Sequence, residues 1–419
     1  MTKKLDTTFI QVVHPVCCGL DVHKKKISAC LITLDEHGQE QYDIEEFGTF
    51  TNDLLNMKEW LTNNGCPIIA MESTGVYWRP IHNVLEGFME VILVNARHIK
   101  NVPGRKTDIS DSKWLAGLLR YGLLRGSFIP PKEIRQWREL TRLRRTYTES
   151  LADYKRRIHK LFETANIKID SVVSDLFGVT GRNLISLLCN ESELSLENIR
   201  ENAKGGLKSK FKELHSSIQG FFEDHHRFQL IGMMEVIAGF EKKIAETSER
   251  LDNLTAGHQD LLDRLDEIPG IDKKSAQSIL SEIGVTLDEF ICMGALASWA
   301  GLCPGNNESA GKRKSGRTSV RNHPFKTILI EVAWAAVKKK GSYYRAKYFK
   351  LKARRGPKKA IVAIAHRISK AIYNIIKNGD TFKDLGEDYL TAQTRQRTIN
   401  NIKQRADRKS TRLNSSHRL

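Results

Sequence analysis

Four carboxylates offer the most specific chemistry in this sequence. Asp21 stands in Gly19-Leu-Asp-Val-His-Lys24, Glu72 in Met71-Glu-Ser-Thr-Gly75, and Asp108 and Asp111 in Lys106-Thr-Asp-Ile-Ser-Asp-Ser-Lys113. An acid within or directly after an apolar strand is costly unless it is paired or binds a cation. Asp21 follows Cys-Cys-Gly-Leu, and Glu72 follows Ile-Ile-Ala-Met. The i, i+3 spacing of Asp108 and Asp111 puts both on one face of a first helical turn. Acids are also ordinary helix-start residues, so that pair gains meaning only beside the strand acids. Four gathered carboxylates repel one another, and Mg²⁺ offsets the repulsion while keeping waters and a substrate phosphate in its coordination shell. One ion would suffice for binding; two would flank a scissile phosphate and stabilise its attacking and leaving oxygens. Lys106 and Lys113, beside the acids, are placed to hold the neighbouring phosphates.

The elements that must position these acids follow from hydrophobic periodicity. Residues 17–34 read as strand, turn and strand. A third short strand fits Ile44–Phe50, a helix 51–64, a compact strand Pro67–Met71 ending at Glu72, a helix from about Val76 to Phe88, and a strand Val91–Val94. Strands alternating with helices imply an α/β domain with a mixed, largely covered sheet. The order strand-Asp, strand-Glu, helix-Asp/Asp is how an RNase H-like or RuvC-like fold gathers hard oxygen ligands. From Pro130 the pattern turns helical. Residues 132–170 and 210–265 read as long polar helices, which usually pair as an antiparallel or intermolecular coiled coil. Residues 265–284 read as two helices joined by Pro-Gly-Ile-Asp. This is either a helix-hairpin-helix offering backbone N–H groups to a DNA phosphate or an ordinary core connection. A Gly/Asn/Ser/Arg-rich loop is expected over 301–323, and helices around Thr327–Val337 and Ala360–Ile376. The expected class is α/β plus α, in four parts: 1–130, catalytic; 131–262, a helical linker for oligomerisation; 263–380, a mostly helical C-terminal domain; and 381–419, a tail.

The chain has 419 residues, with 67 Lys+Arg against 49 Asp+Glu, a net charge of +18. A polyanion is the expected partner, nucleic acid being the commonest. Residues 311–359 hold seventeen Lys/Arg and the single acid Glu331, net +16, which is almost the whole surplus. Lys312, Arg313, Lys314, Arg317, Arg321 and Lys326 open this stretch as candidate nucleic-acid contacts. Tyr343, Tyr344, Tyr348 and Phe349 lie within it, as expected where bases stack. The longest nearly uninterrupted apolar run, Ile291–Cys303, has 13 residues, short of the ~20 that cross a bilayer. No secretory signal is evident. Seven scattered cysteines without a C-x-x-C pair fit reduced thiols rather than disulfides or zinc. A prokaryotic cytoplasmic protein, on the nucleoid when bound to DNA, is the expectation. Residues 407–417, DRKSTRLNSSH, are identical to a reading frame of a common sequencing adapter. We expect this tail not to be natural protein and to take no part in the fold.

In their order and wording, Gly19–Lys24, Met71–Trp78 and Lys106–Asp111 resemble the DEDD transposases of the insertion-sequence-110 family, which includes Piv-type DNA invertases. Trp299-Ala-Gly-Leu-Cys-Pro-Gly-Asn-Asn-Glu-Ser-Ala-Gly-Lys-Arg-Lys-Ser-Gly-Arg317 is similar to that family's second domain, and the likeness spans roughly 15–380. The resemblance implies a RuvC-like N-terminal domain, a helical linker that oligomerises and a C-terminal domain carrying a serine nucleophile. Asp21, Glu72, Asp108 and Asp111 match its metal tetrad, and Ser309 its serine. Many relatives have Ser-Gly or Ser-Ser-Gly where this chain has Ser309-Ala310-Gly311, and Ser315 and Ser319 are the alternatives. It further implies a site composed from two domains or subunits of a dimer or tetramer, donor and target DNA as substrates, and a structured noncoding guide RNA whose pairing reads the sequence, as in other RNA-guided systems. Two other functions compete: a Holliday-junction endonuclease using metal-activated water, and a non-catalytic nucleic-acid scaffold whose acids only cap helices.

Overall fold

The structure is a computed structural model. It describes residues 11–73, 75–95, 111–190, 194–305, 307–309, 311–315, 318, 323–391, 395–396, 399–400 and 403. The chain divides into two compact units, Met1–Ile129 and Pro130–Leu419. Among the described residues no helix is long and apolar enough to cross a membrane, and all seven cysteines are free thiols.

The first unit is built on β1 (Cys17–Val22), β2 (Ile27–Leu34), β3 (Glu40–Phe47), α1 (Thr51–Asn63), β4 (Ile68–Glu72), α2 (Trp78–Leu85), β5 (Glu90–Val94) and α3 (Asp111–Arg120). The sheet order is β3-β2-β1-β4-β5. β1, β2 and β3 form an antiparallel meander, and β4 and β5 run parallel to β1. Strict alternation along the central strands sorts side chains between two cores. Cys18, Leu20, Ala29, Leu31, Ile69 and Met71 pack with Leu54, Met57 and Leu61 of α1 and Ile81 and Leu85 of α2. Cys17, Cys30, Ile32, Ile68, Ala70 and Val94 pack with Leu115, Ala116, Leu118 and Leu119 of α3. The third strand runs Glu40–Phe47 rather than Ile44–Phe50. All its residues but Phe47 are exposed at the sheet edge, so no buried apolar alternation marks where it starts.

Among its described residues the second unit is helical apart from one hairpin. α4 (Lys132–Thr164) leads through α5 (Ile169–Val172), α6 (Val179–Asn190), α7 (Leu196–Asn202) and α8 (Phe211–Ser217) to α9 (Asp224–Thr255). The two long helices lie antiparallel within the chain: Trp137 meets His258, Tyr147 meets Phe240, and Phe162 meets Phe222. The short helices fold over their far end around Leu184, Ile185, Ile199 and Leu214.

Then follow α10 (Gln259–Asp266), α11 (Lys273–Ile283), α12 (Met293–Trp299), β6 (Asn307–Ser309), β7 (Lys312–Ser315), α13 (Pro324–Ala336), α14 (Tyr343–Arg355) and α15 (Pro357–Asn378). α15 buries Ile361, Ile364, Ala365, Ile368, Ile372 and Ile375, a stripe at helical spacing. α11 is locked to α4 by polar contacts: Arg142 donates two 2.9 Å bonds to the buried Glu282 carboxylate, and Arg144 bonds Gln277.

Two expectations change here, and the packing of the turn between α10 and α11 bears on the choice between its two readings. The 301–323 segment contains a β-hairpin, β6–β7, where a loop was expected. Tyr344 and Tyr348 are 4% and 5% exposed; they are core residues and offer no face to a base. The turn between α10 and α11 is packed inward: a Cβ on Gly270 (φ 90°) would lie 2.5 Å from the Val332 carbonyl of α13. The N-terminus of α11 already has an acceptor, because the Asp272 carboxylate takes the Ser275 N–H at 2.8 Å. A capping carboxylate satisfies one of the helix's own donors, which supports the core connection for this turn.

Candidate functional site

Two of the four candidate acids, Asp21 and Glu72, lie at the ends of neighbouring strands of the first unit, and a third, Asp111, opens the helix that covers the same sheet face. β1 and β4 pair in parallel through Cys18↔Ile69, Gly19↔Ala70 and Leu20↔Met71. The next residues in that register are Asp21 and Glu72, on neighbouring strands about 4.8 Å apart. By alternation both point to the face that carries Cys17, Ile68 and Ala70, which is the face covered by α3. α3 runs antiparallel to β1: Ser112 Oγ lies 3.3 Å from Ser28 Oγ, Cys17 Sγ donates to the Ala116 carbonyl, and Arg120 donates to the Pro15 carbonyl at 2.7 Å. Ser28 is the cross-strand partner of Asp21. The first residue of α3, Asp111, therefore starts over the ends of the strands that carry Asp21 and Glu72.

Gly19 permits this arrangement. A Cβ there would lie 2.2 Å from the Ser112 carbonyl oxygen and 2.4 Å from the Ala116 nitrogen, so only glycine lets the helix backbone rest on β1. Asp21 is 29% exposed at its side chain, and its Oδ2 lies 3.1 Å from His23 Nε2. Glu72 is half-buried and Asp111 exposed. The corner thus combines a partly open pair of strand acids, a helix-start acid and the positive end of the α3 dipole.

The remaining sites fall out differently. Lys106, Asp108, Arg317, Ser319 and Arg321 lie outside the described residues. Lys113 was expected on phosphates flanking the acids. Its ammonium sits 4.1 Å from the centre of the Tyr42 ring, on the edge strand two strands from β1, held there by the ring's negative face. Ser309 ends β6 and pairs with Lys312 of β7, and Gly311, just before Lys312, has a φ of 72°. This serine therefore occupies a hairpin corner, a position fixed by the ladder. Arg313, Lys314 and Ser315 lie along β7, and Lys312 is exposed. Lys326 Nζ is 3.3 Å from Thr318 Oγ1. In α14, Lys350, Lys352, Arg354 and Arg355 are exposed, with Phe349 48% exposed beside them and Trp334 of α13 42% exposed.

The sequence reading overlooked His23 and the glycine seat. His23 was legible as the i+2 neighbour of Asp21, one residue past the end of β1, and Gly19 as the one residue without a side chain in the apolar run before Asp21. Among the described residues, the one trio of metal-ligating side chains with ligand atoms within 4.8 Å of one another lies elsewhere, at Glu223, His225 and His226. The local bonds there make a helix cap: the Glu223 N–H donates to His226 Nδ1, and the Glu223 carboxylate meets His225.

A family model described as transposase, of the DEDD type in the IS110 group, matches residues 18–167, and a second, the transposase IS116/IS110/IS902 family, matches residues 262–349. No curated protein matches the chain.

Proposed function

The chain belongs to the IS110 transposase family, a DNA-cutting and rejoining enzyme, and we propose that it does this with the Asp21/Glu72/Asp108/Asp111 carboxylates and a serine nucleophile, Ser309. The observation that carries the reading is the register that leaves Asp21 and Glu72 adjacent under the start of α3. The strand order β3-β2-β1-β4-β5, with its antiparallel meander and two added parallel strands, supports a RuvC-like assignment for this unit.

The donor set is all hard oxygen, which fits Mg²⁺ rather than a softer ion. Asp21, Glu72, Asp108 and Asp111 would hold it, and a divalent cation bound there would neutralise charge on a phosphodiester and favour ionisation of an attacking hydroxyl. The chain's own residues do the rest. His23 holds the Asp21 carboxylate in one orientation. Gly19 seats α3 so that Asp111 faces the strand acids. Ser309 Oγ attacks phosphorus, one new P–O bond forms, and the bond to a deoxyribose oxygen breaks. The serine proton leaves to a base, and the released deoxyribose oxygen takes one up. The phosphoester count is unchanged, so resealing needs no ATP. The hairpin corner holding Ser309 next to the exposed Lys312 and the basic run that follows it supports this choice of serine. A guide RNA supplies sequence selection through base pairing, in keeping with a +18 chain whose positive charge is gathered in one stretch, and the protein works as a dimer or tetramer.

The test is adduct trapping on full-length protein with Mg²⁺, the element's own noncoding RNA and its DNA. Wild type gives a protein–DNA adduct that maps to Ser309. Asp21→Asn abolishes both cleavage and adduct while keeping the fold. Ser309→Ala abolishes the adduct and strand rejoining. Cleavage retained in Ser309→Ala would instead mean that water attacks, as in a junction endonuclease. Unchanged cleavage in Asp21→Asn would end the carboxylate reading.

A further inference from the structure

The second unit holds a cleft that the carboxylates and the serine do not use. Its volume is about 190 Å³, and it is lined by α14, α15 and the segment that follows α15. That is below the roughly 300–1,000 Å³ of sites that enclose a whole small-molecule ligand, which leaves room for one planar group. The aromatic part of its lining is ordered. Phe382 stacks on the buried Tyr344 with ring centres 6.2 Å apart and planes 21° from parallel. Tyr343 packs edge-on against both Tyr344 and Tyr389.

The cleft is also strongly cationic. Arg367 and Lys370 stand one turn apart on α15, and Lys383 joins them from the following segment. The Arg367 guanidinium lies 5.7 Å from the Tyr343 ring centre. Among the described residues none of these three cations has an ion-pair partner. The one acid in the lining, Asp384, is engaged: its Oδ1 accepts the Tyr343 and Gly386 N–H groups, both at 3.0 Å. Those bonds tie the segment to the N-terminus of α14 and fix Phe382 in place. An aromatic platform ringed by unpaired cations is the chemistry that holds a base by stacking and its phosphate by charge. A paired duplex keeps its bases stacked inside, so only an unpaired one can reach such a platform. The cleft opens beside the N-terminal end of α14, whose later turns carry exposed Lys350, Lys352, Arg354 and Arg355.

We infer that this cleft captures one unpaired nucleotide of a single-stranded nucleic acid, its base stacked on Phe382 and Tyr343 and its phosphate held by Arg367, Lys370 and Lys383. The capture is independent of the carboxylate corner, so an Asp21→Asn chain retains it.

The probe is a short oligothymidine with a single 2-aminopurine, titrated with the full chain at several salt concentrations. Binding quenches the 2-aminopurine by stacking, while the same probe in duplex form, already quenched by its own stacked neighbours, shows no further quenching on titration. Phe382→Leu weakens binding about tenfold, within the range for one lost base stack, and removes the quenching. Lys370→Gln keeps the aromatic platform and lowers the slope of log affinity against log salt by about 0.7, the loss of one phosphate contact on a single strand. Quenching that survives Phe382→Leu, equal quenching of the duplex, or an unchanged salt slope in Lys370→Gln would each overturn the inference. If Phe382→Leu fails to fold by circular dichroism, the Lys370→Gln slope and the single-strand preference of the wild type decide.

Discussion

Gly19→Ala tests the seat that brings α3 to the strand acids. The added methyl would stand 2.2 Å from the Ser112 carbonyl oxygen, 2.4 Å from the Ala116 nitrogen and 2.9 Å from Leu115 Cβ. Two of these are backbone atoms that no rotamer change can move. An ordinary contact of about 3.4 Å then requires the helix to retreat by about 1.2 Å. That shift pulls Leu115, Leu118 and Leu119 out of a packed core and strains the Ser28–Ser112 and Arg120–Pro15 bonds. Overpacking of this kind costs about 3 kcal/mol, a fall of about 10 °C in Tm for a unit of this size. Asp111 moves with its helix, and a 1 Å misplacement costs about a hundredfold in rate. Gly117→Ala is the control: it lies on the same helix, and its Cβ would meet nothing within 4 Å. Removing that glycine from a helix interior gains about 1 kcal/mol, so this variant should melt slightly higher and cut DNA normally. Differential scanning calorimetry and a DNA cleavage assay read both variants. A Gly19→Ala chain that melts within about 2 °C of wild type and cuts at the normal rate refutes the reasoning.

Three further outcomes follow from the packing. Glu282→Ala leaves Arg142, and Arg138 beside it, without the carboxylate that is 4% exposed at its side chain; urea unfolding should show a loss of about 3 kcal/mol, and Glu282→Gln a smaller one. Burial, helped by Lys370 and Arg367, holds the His366 imidazole below its ordinary value. The unfolded chain therefore binds that proton more readily, and stability falls as pH drops through about 6.5 toward the lowered native value; His366→Gln should flatten this part of the stability–pH curve and leave the curve above pH 7.5 (roughly one unit past the free value) unchanged. Burial pushes the Cys17 thiol up to about 12 and those of Cys30 and Cys66 to about 11, while Cys292 is exposed. Brief iodoacetamide treatment of native protein at mild alkaline pH should label Cys292 and spare Cys17, Cys30 and Cys66, as read by peptide mass spectrometry.

Much of the architecture was legible because it depends on local periodicity. The apolar β-rich runs in Cys17–Val22 and Ile27–Leu34 and the apolar run before Glu72 each announce a strand. The long charged helices of the second unit show in their spacing. What local pattern could not show is where chemistry depends on a neighbour. The edge strand Glu40–Phe47 opens with polar Glu40-Gln41 and is exposed along nearly its whole length, so its start was misplaced. The β6–β7 hairpin is too short to build a periodic signal, and the segment read as a loop. Tyr344 and Tyr348 sit in a cationic run that suggested stacking on bases, yet tertiary packing buries both.

The residue types, their order and the excess of positive charge were set by the sequence alone, and with them the prospect of acid chemistry on a polyanion. Adjacency was set by tertiary structure. Parallel pairing of β1 with β4 brings residues fifty-one positions apart in the chain to neighbouring strand ends, and one missing side chain at Gly19 lets α3 settle over them. Parallel register and close backbone approach are non-local properties. They arise from burying both sheet faces at once, so no stretch of sequence read alone contains them.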